Sequence, residues 1–173
     1  MREAIGATWI TGVVLVFIAL FSGYLALSIN YSKAFKVKDG IVDRLEKHSG
    51  PNKESIEDIA EMLEAVGYNS KGSCDRLFND IEVTKRSSKF VGVNKNHVSK
   101  NPTNGKYNYC VLRINSNMTN GAIVDDKKGQ LSAANYRVIV FFSLSLPIIE
   151  NFSNFNVTGE TININYPEDD YMG

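Results

Sequence analysis

Two cysteines, two histidines and one acidic cluster have the side-chain types for covalent, metal or acid–base chemistry in this 173-residue chain. Cys74 and Cys110 stand 36 positions apart. A bridge between them would close a long polar loop, for which the chain-entropy estimate is ~3 to 4 kcal/mol. The alternative is two unrelated thiols, with Cys110 buried in a core. Two cysteines alone make no zinc site, because zinc takes four ligands. His48 closes an amphipathic segment and His97 lies in an Asn/Lys-rich stretch; neither has a cysteine or carboxylate at ligand or triad spacing, so both read as surface residues. Glu54, Glu57, Asp58 and Glu61 read as the solvated face of a helix. Phe90-Val91-Gly92-Val93-Asn94 lacks the second glycine and the Lys-Ser/Thr of a phosphate loop, and the chain has no Gly-x-Ser-x-Gly elbow. No catalytic, cofactor-binding or metal-binding residue emerges, and the expectation is a non-enzymatic protein without a cofactor.

The elements around these residues are set by a sharp division of charge. Lys+Arg 19 balance Asp+Glu 19, yet Ala4 to Ser32 carry no charge over 29 residues, so all charges except Arg2 and Glu3 lie beyond the run. At ~1.5 Å per residue the run reaches ~43 Å as a helix, against ~30 Å of hydrocarbon. Trp9, Val13, Val16, Phe17, Leu20, Phe21 and Leu25 are the expected membrane-facing anchor, with Trp9 and Tyr31 at the headgroup levels. A cleaved signal peptide is the competing reading, since Ala26-Leu27-Ser28 resembles a cleavage site; the apolar stretch is longer than such peptides use. The balanced charge beyond the run, without a basic block, excludes an electrostatic footprint for nucleic acid.

Ala34, Val37, Ile41 and Leu45 follow at spacings of three and four, which predicts that the helix continues as an amphipathic one and ends before Gly50-Pro51, with Gly40 a tolerated weak point. Lys33, Lys36 and Lys38 on this half read as solvated. A second helix is predicted in KESIEDIAEMLEAVG, with Ile56, Ile59, Ala60, Leu63 and Val66 as its stripe and Gly67 as its stop. Residues 69–105 read as polar loop with at most an edge strand near Phe90-Val93. Three strands follow. Lys106–Asn115 places Cys110, Leu112 and Ile114 on one face. Asn135–Leu146, with Tyr136, Val138, Val140 and Phe142 opposite Ile139 and Phe141, is the candidate central strand. Phe155–Tyr166 places Ile162, Ile164 and Tyr166 together. Asp125–Gly129 reads as a hairpin tip, Pro147 as a strand stop before a short connection, and the acidic tail from Pro167 as frayed.

The fold class expected is therefore α+β: a long N-terminal transmembrane helix with an amphipathic continuation, a second short helix, and a small, mainly antiparallel sheet of three to four strands. The division is a tail over 1–8, a span over 9–31, the continuation over 32–49 and an α+β domain over 50–173. Orientation is contested within the sequence. Lys33, Lys36 and Lys38 argue for a cytoplasmic domain by the positive-inside rule, whereas a cysteine pair in a small domain suits an oxidising compartment. The second argument is preferred, giving a single-pass protein of the cell membrane with its domain outside. Asn-x-Ser/Thr triplets begin at Asn30, Asn117, Asn151 and Asn156 and add little in a chain this rich in Asn, Ser and Thr.

Two blocks carry a family resemblance: GATWITGVVLVFIALFSGYLALSINYSKA from Gly6, and YRVIVFFSLSLPIIENFSNFNVTGETINI from Tyr136 to Ile164. Together, over roughly a third of the chain, they resemble the type IV pilin-like subunits, and more narrowly the TadE-like minor pilins of Flp/Tad-type pilus systems. That resemblance implies a pilin-like fold and a non-enzymatic envelope protein. Its partners would be membrane lipid and other pilin-like subunits or assembly proteins met through the N-terminal helix. It also implies a candidate processing position at Gly6 and Ala7. The glutamate such pilins carry five residues into the apolar segment is Thr11 here, so an inter-subunit bond from that carboxylate is not implied.

Overall fold

The computed structural model describes residues 2–74, 87–100, 102, 105–115, 118–119, 122–123, 134–142, 155–164 and 170–171. Helix α1 runs unbroken over Arg2–Lys47, ~69 Å at ~1.5 Å per residue, and α2 covers Lys53–Ala65. The strands are β1 (Ser87–Asn94), β2 (His97–Lys100), β3 (Tyr109–Asn115), β4 (Met118–Thr119), β5 (Ala122–Ile123), β6 (Ala134–Phe142) and β7 (Phe155–Glu160). Five of them form one antiparallel sheet in the order β2-β1-β3-β6-β7, and β4 and β5 pair separately. The α+β class and the continuous helix are as the sequence leads one to expect.

The 3.6-residue stripe on the second half of α1 is the centre of the core. Ala34, Val37, Ile41 and Leu45 are all buried, against Ile56, Ile59 and Leu63 of α2 and the sheet face made by Val91, Val93, Tyr109, Val111, Val138 and Val140. Gly40 does not break the helix; Met62 of α2 packs close above it. Lys47 is followed by a Schellman turn, in which Gly50 N–H donates to the Leu45 carbonyl (2.8 Å) and Ser49 N–H to that of Glu46 (3.2 Å). Ser49 takes the left-handed conformation there, φ 58. A β-carbon is disfavoured in that region and glycine is at ease. Ser49→Gly is expected to raise stability by about 0.5 to 1 kcal/mol, part of the strain relief being offset by the freer unfolded chain; urea unfolding in detergent micelles reads it, and an unchanged or lower midpoint would contradict it. Helix α2 opens on a reciprocal cap, Asn52 Oδ1 accepting from Ser55 N–H (2.8 Å) and Ser55 Oγ from Asn52 N–H (3.0 Å).

Three expectations are corrected. Residues 69–105 are not simply loop: β1 is an interior strand between β2 and β3, which brings the sheet to five strands rather than three or four. In β3 Cys110, Leu112 and Ile114 share a face as expected, the one turned away from the helices, while Tyr109 and Val111 face the helices. Strand β6 is interior as expected, although β3 holds the middle place. Ile162 and Ile164 do not share a face. The register pairs Arg137 with Glu160 but Ala134 with Ile164, and Thr161 N–H still bonds the Tyr136 carbonyl, so one extra residue is accommodated between Thr161 and Ile164. There Tyr136 N–H donates to Thr161 Oγ1 (2.9 Å) in place of a ladder carbonyl. That bulge turns Ile162 into solvent while Ile164 stays buried. The acidic tail is not wholly loose either: Asp170 accepts from Lys53 N–H (3.2 Å) and Tyr171 packs against the core. The Asp125–Gly129 turn, Pro147 with the connection after it, Tyr166, and Asn117 and Asn151 lie outside the described residues.

Candidate functional site

The first half of α1 differs from the second in one respect that matters for function. Trp9, Ile10, Leu15, Phe17, Ile18 and Leu20 are all exposed, as are the anchor residues Val13, Val16, Phe21 and Leu25. Exposed apolar side chains run consecutively over Val13–Ile18, more than one and a half turns, so the helix is apolar on every side rather than along a stripe. The stretch has a mean hydropathy of 2.4, and none of it is buried among the described residues. Its polar groups are handled internally, Ser22 Oγ donating to the Ile18 carbonyl at 2.8 Å. This is one N-terminal helix long and apolar enough to cross a membrane. Gly6 and Ala7, the candidate processing position, lie within the same helix.

At the base of the domain the helix meets the sheet through aromatic rings. Tyr31 stands edge-on to Phe142 (5.9 Å between centroids) and Phe142 stacks on Phe155 (5.3 Å), while Phe35 lies one turn above Tyr31. Two of the three lysines read as solvated are used here. Lys33 Nζ donates to the Gly67 carbonyl (3.1 Å), a cation on the C-terminus of α2. Lys38 is only 11% exposed: it lays its stem across Gly159 of β7, sits 3.9 Å from the Phe35 ring centre and pairs with Asp39. Only Lys36 remains as the plain exposed cation of the three. The positive charge that opposed an outside domain is thus partly structural.

On the face of the sheet away from the helices, Cys74 and Cys110 form a disulfide with their Cα atoms 6.1 Å apart. Both are buried in a small cluster with Ile139 and Phe141, flanked by Phe90 and Tyr107. The bond ties the strand-like segment at Gly72 onto the sheet, where Gly72 and Tyr107 exchange two backbone hydrogen bonds of 2.9 and 2.8 Å. Tyr68 Oη donates to the Phe141 carbonyl from the other end of the segment. Burial pushes the Tyr68 phenol up to about 12, so it remains a donor through the neutral range. Asn108, which the sequence does not single out, completes the clamp: its Oδ1 accepts from Lys95 N–H (3.1 Å) and its Nδ2 donates to the Ser70 carbonyl (3.0 Å). An open cavity of about 430 Å³ lies beside it, between Glu57, Glu61 and Glu64 of α2 and the turn at Lys95-Asn96.

The acidic cluster divides. Glu54 and Glu57 are solvated, but Asp58 accepts from Arg44 Nε (2.8 Å) and Lys47 Nζ (3.3 Å) and lies 3.2 Å from His48 Nε2. His48 is therefore no bare surface histidine; its side chain is 17% exposed and bridges the two helices. No group of three or more metal-ligating side chains is placed to hold an ion among the described residues. The hydrogen bonds from His48, then Arg44, then Lys47 hold the Asp58 carboxyl down to about 2 from 3.8. A depressed carboxylate stabilises the fold above its unfolded pKa and loses that contribution as pH falls through the folded one. Acid titration of stability should accordingly show a loss between about pH 4 and pH 2 that Asp58→Asn lacks; identical acid limbs for the two proteins would refute the hub. The signal missed in the sequence is the i, i+14 pairing of Arg44 with Asp58, which no local pattern encodes.

No family model, curated protein or solved structure matches this chain. The functional reading rests on the geometry.

Proposed function

We propose that the chain is a non-enzymatic, membrane-anchored envelope protein that serves as a minor pilin or pilus-assembly component of a Tad-like type IV pilus system. The observation that carries this reading is a single helix in two halves: the first bare and apolar on all sides, the second buried along one stripe in the core of a small sheet domain. A helix of that kind holds its domain at a fixed height above a membrane or a helical bundle. Small residues at Gly12, Ala19, Ser22, Gly23 and Ala26 supply surfaces for close helix–helix approach. The cysteine pair supports a domain on the oxidising side, and the structural use of Lys33 and Lys38 weakens the count that favoured the cytoplasm.

Sheared pilus fractions and affinity-purified assembly complexes are expected to contain the protein. Absence from both would sink the pilin reading and leave a single-pass anchored binding module. Sidedness is read separately: a thiol introduced by Lys100→Cys on the exposed end of β2 should react with an impermeant maleimide in intact cells, and reaction only after lysis would place the domain in the cytoplasm.

A further inference from the structure

Past Tyr31, large exposed apolar side chains are few among the described residues: Phe35, Val66, Phe155 and Ile162. Three of the four lie at one end of the domain. Phe155 is linked to Tyr31 through the Phe142 ring, Phe35 sits one turn above Tyr31, and Val66 precedes Gly67, whose carbonyl is held by Lys33. The fourth marks the opposite end, because Ile162 N–H donates to Glu46 Oε1 (2.9 Å) near the top of α1. Strand β7 therefore climbs alongside α1, with Phe155 beside Tyr31, Gly159 beside Lys38 and Ile162 beside Glu46.

The height of that lower end follows from the helix. Trp9 to Tyr31 is ~33 Å along the axis, close to the ~30 Å of hydrocarbon. With Trp9 at one headgroup layer, Tyr31 lies at the other, and so do the rings in contact with it. Resting on the reading of α1 as a span, we propose that the base of the domain is itself a lipid-contacting surface: Phe155 and Phe35 enter the headgroup layer beside the helix, and the domain stands on the bilayer rather than above it on a free stalk. The occupant is lipid because the patch adjoins the all-round apolar surface of α1 at the level of Tyr31, whose polar-tipped ring favours the headgroup layer. The exposed Lys36 on the same turns suits lipid phosphate.

Trp9 is the sole tryptophan, which makes the test direct. The full chain is reconstituted in phosphatidylcholine/phosphatidylglycerol vesicles containing lipids brominated near the carbonyl end of the acyl chain, and tryptophan emission is also titrated with aqueous iodide. The proteins compared are the wild type and three single-tryptophan variants in a Trp9→Phe background: Phe155→Trp, Phe35→Trp and Ile162→Trp. The tryptophans introduced at positions 155 and 35 are expected to lose emission to brominated lipid comparably to Trp9 and to resist iodide; the one at 162 should do the reverse. Emission from both 155 and 35 that yields to iodide and ignores brominated lipid overturns the proposal while Trp9 quenching keeps the span. Shielding of both positions from both quenchers also overturns it, and points to a second copy of the chain on the patch. If Trp9 itself ignores brominated lipid, the span reading falls first and the proposal with it. Two independent positions keep the result readable if one variant misfolds.

Discussion

Replacing Cys74 and Cys110 together by alanine is expected to lower the stability of the domain by about 4 kcal/mol, the chain-entropy value for a 36-residue loop. Alanine is the right substitute because both sites are buried; serine would add the cost of an unpaired buried hydroxyl, about 1 to 3 kcal/mol, and confuse the measurement. The loss is large for a domain of this size, since whole-domain stabilities run about 5 to 15 kcal/mol. Residues 69–73 are polar or glycine, so for that segment the bond, with Tyr68 and Asn108 at either side, does what apolar packing does elsewhere in the sheet. Urea unfolding of the full chain in detergent micelles, followed by tyrosine circular dichroism, reads the difference. A loss under about 1 kcal/mol would mean that the unfolded chain is already constrained and that the clamp is redundant. The same number bears on sidedness. A domain that depends on this bond folds poorly where thiols are kept reduced, so steady-state levels of the wild type, but not of the double alanine variant, should fall when the cell's thiol oxidation pathway is disabled.

Much of this architecture is legible in the sequence, and the parts that are not have a common physical origin. The stripe Ala34, Val37, Ile41 and Leu45 is readable because helical packing repeats locally, and the uncharged run is readable because a helix long and apolar enough to cross a membrane shows itself in composition alone. The Cys74–Cys110 pair is readable as an option because the loop and the compartment favour it, though not as a placement on the outer face of the sheet. Side-chain partners that fold in from a distance leave no local mark. Lys33 and Lys38 look solvated beside their neighbours, yet one caps α2 at Gly67 and the other packs on β7 at Gly159. His48 looks like a surface histidine until α2 brings Asp58 to it. Strand β1 hides because its apolar run is short and carries Gly92, and its position inside the sheet is decided by pairing on both sides rather than by its own residues. Ile162 and Ile164 alternate correctly for a strand; a one-residue bulge held by the Thr161 hydroxyl separates them, and alternation cannot show an insertion of that kind.

Gly72→Ala is expected to be the most damaging small substitution in the clamp, at about 3 kcal/mol, the upper part of the range for overpacking. The backbone conformation is not the reason, since Gly72 is not among the left-handed glycines. The reason is space. A β-carbon at this position would overlap three carbons of the Phe141 ring. Neither partner can yield cheaply. Gly72 is fixed by both of its hydrogen bonds to Tyr107, and Phe141 is buried with its own carbonyl bound by Tyr68. Gly67→Ala provides the contrast, because nothing lies within 4 Å of a β-carbon there. Its cost is the φ of 62 alone, about 1 kcal/mol. The decisive measurement is a double-mutant cycle: Phe141→Leu in the Gly72→Ala background should recover part of the loss, giving a coupling of about 1 kcal/mol or more, as residues in direct contact do. Additive effects would show that segment 70–74 does not lie against Phe141. Because Gly72 is two residues from Cys74, the single variant should also leave free thiol where the wild type has none, and this joins the packing of one glycine to the redox state of the domain.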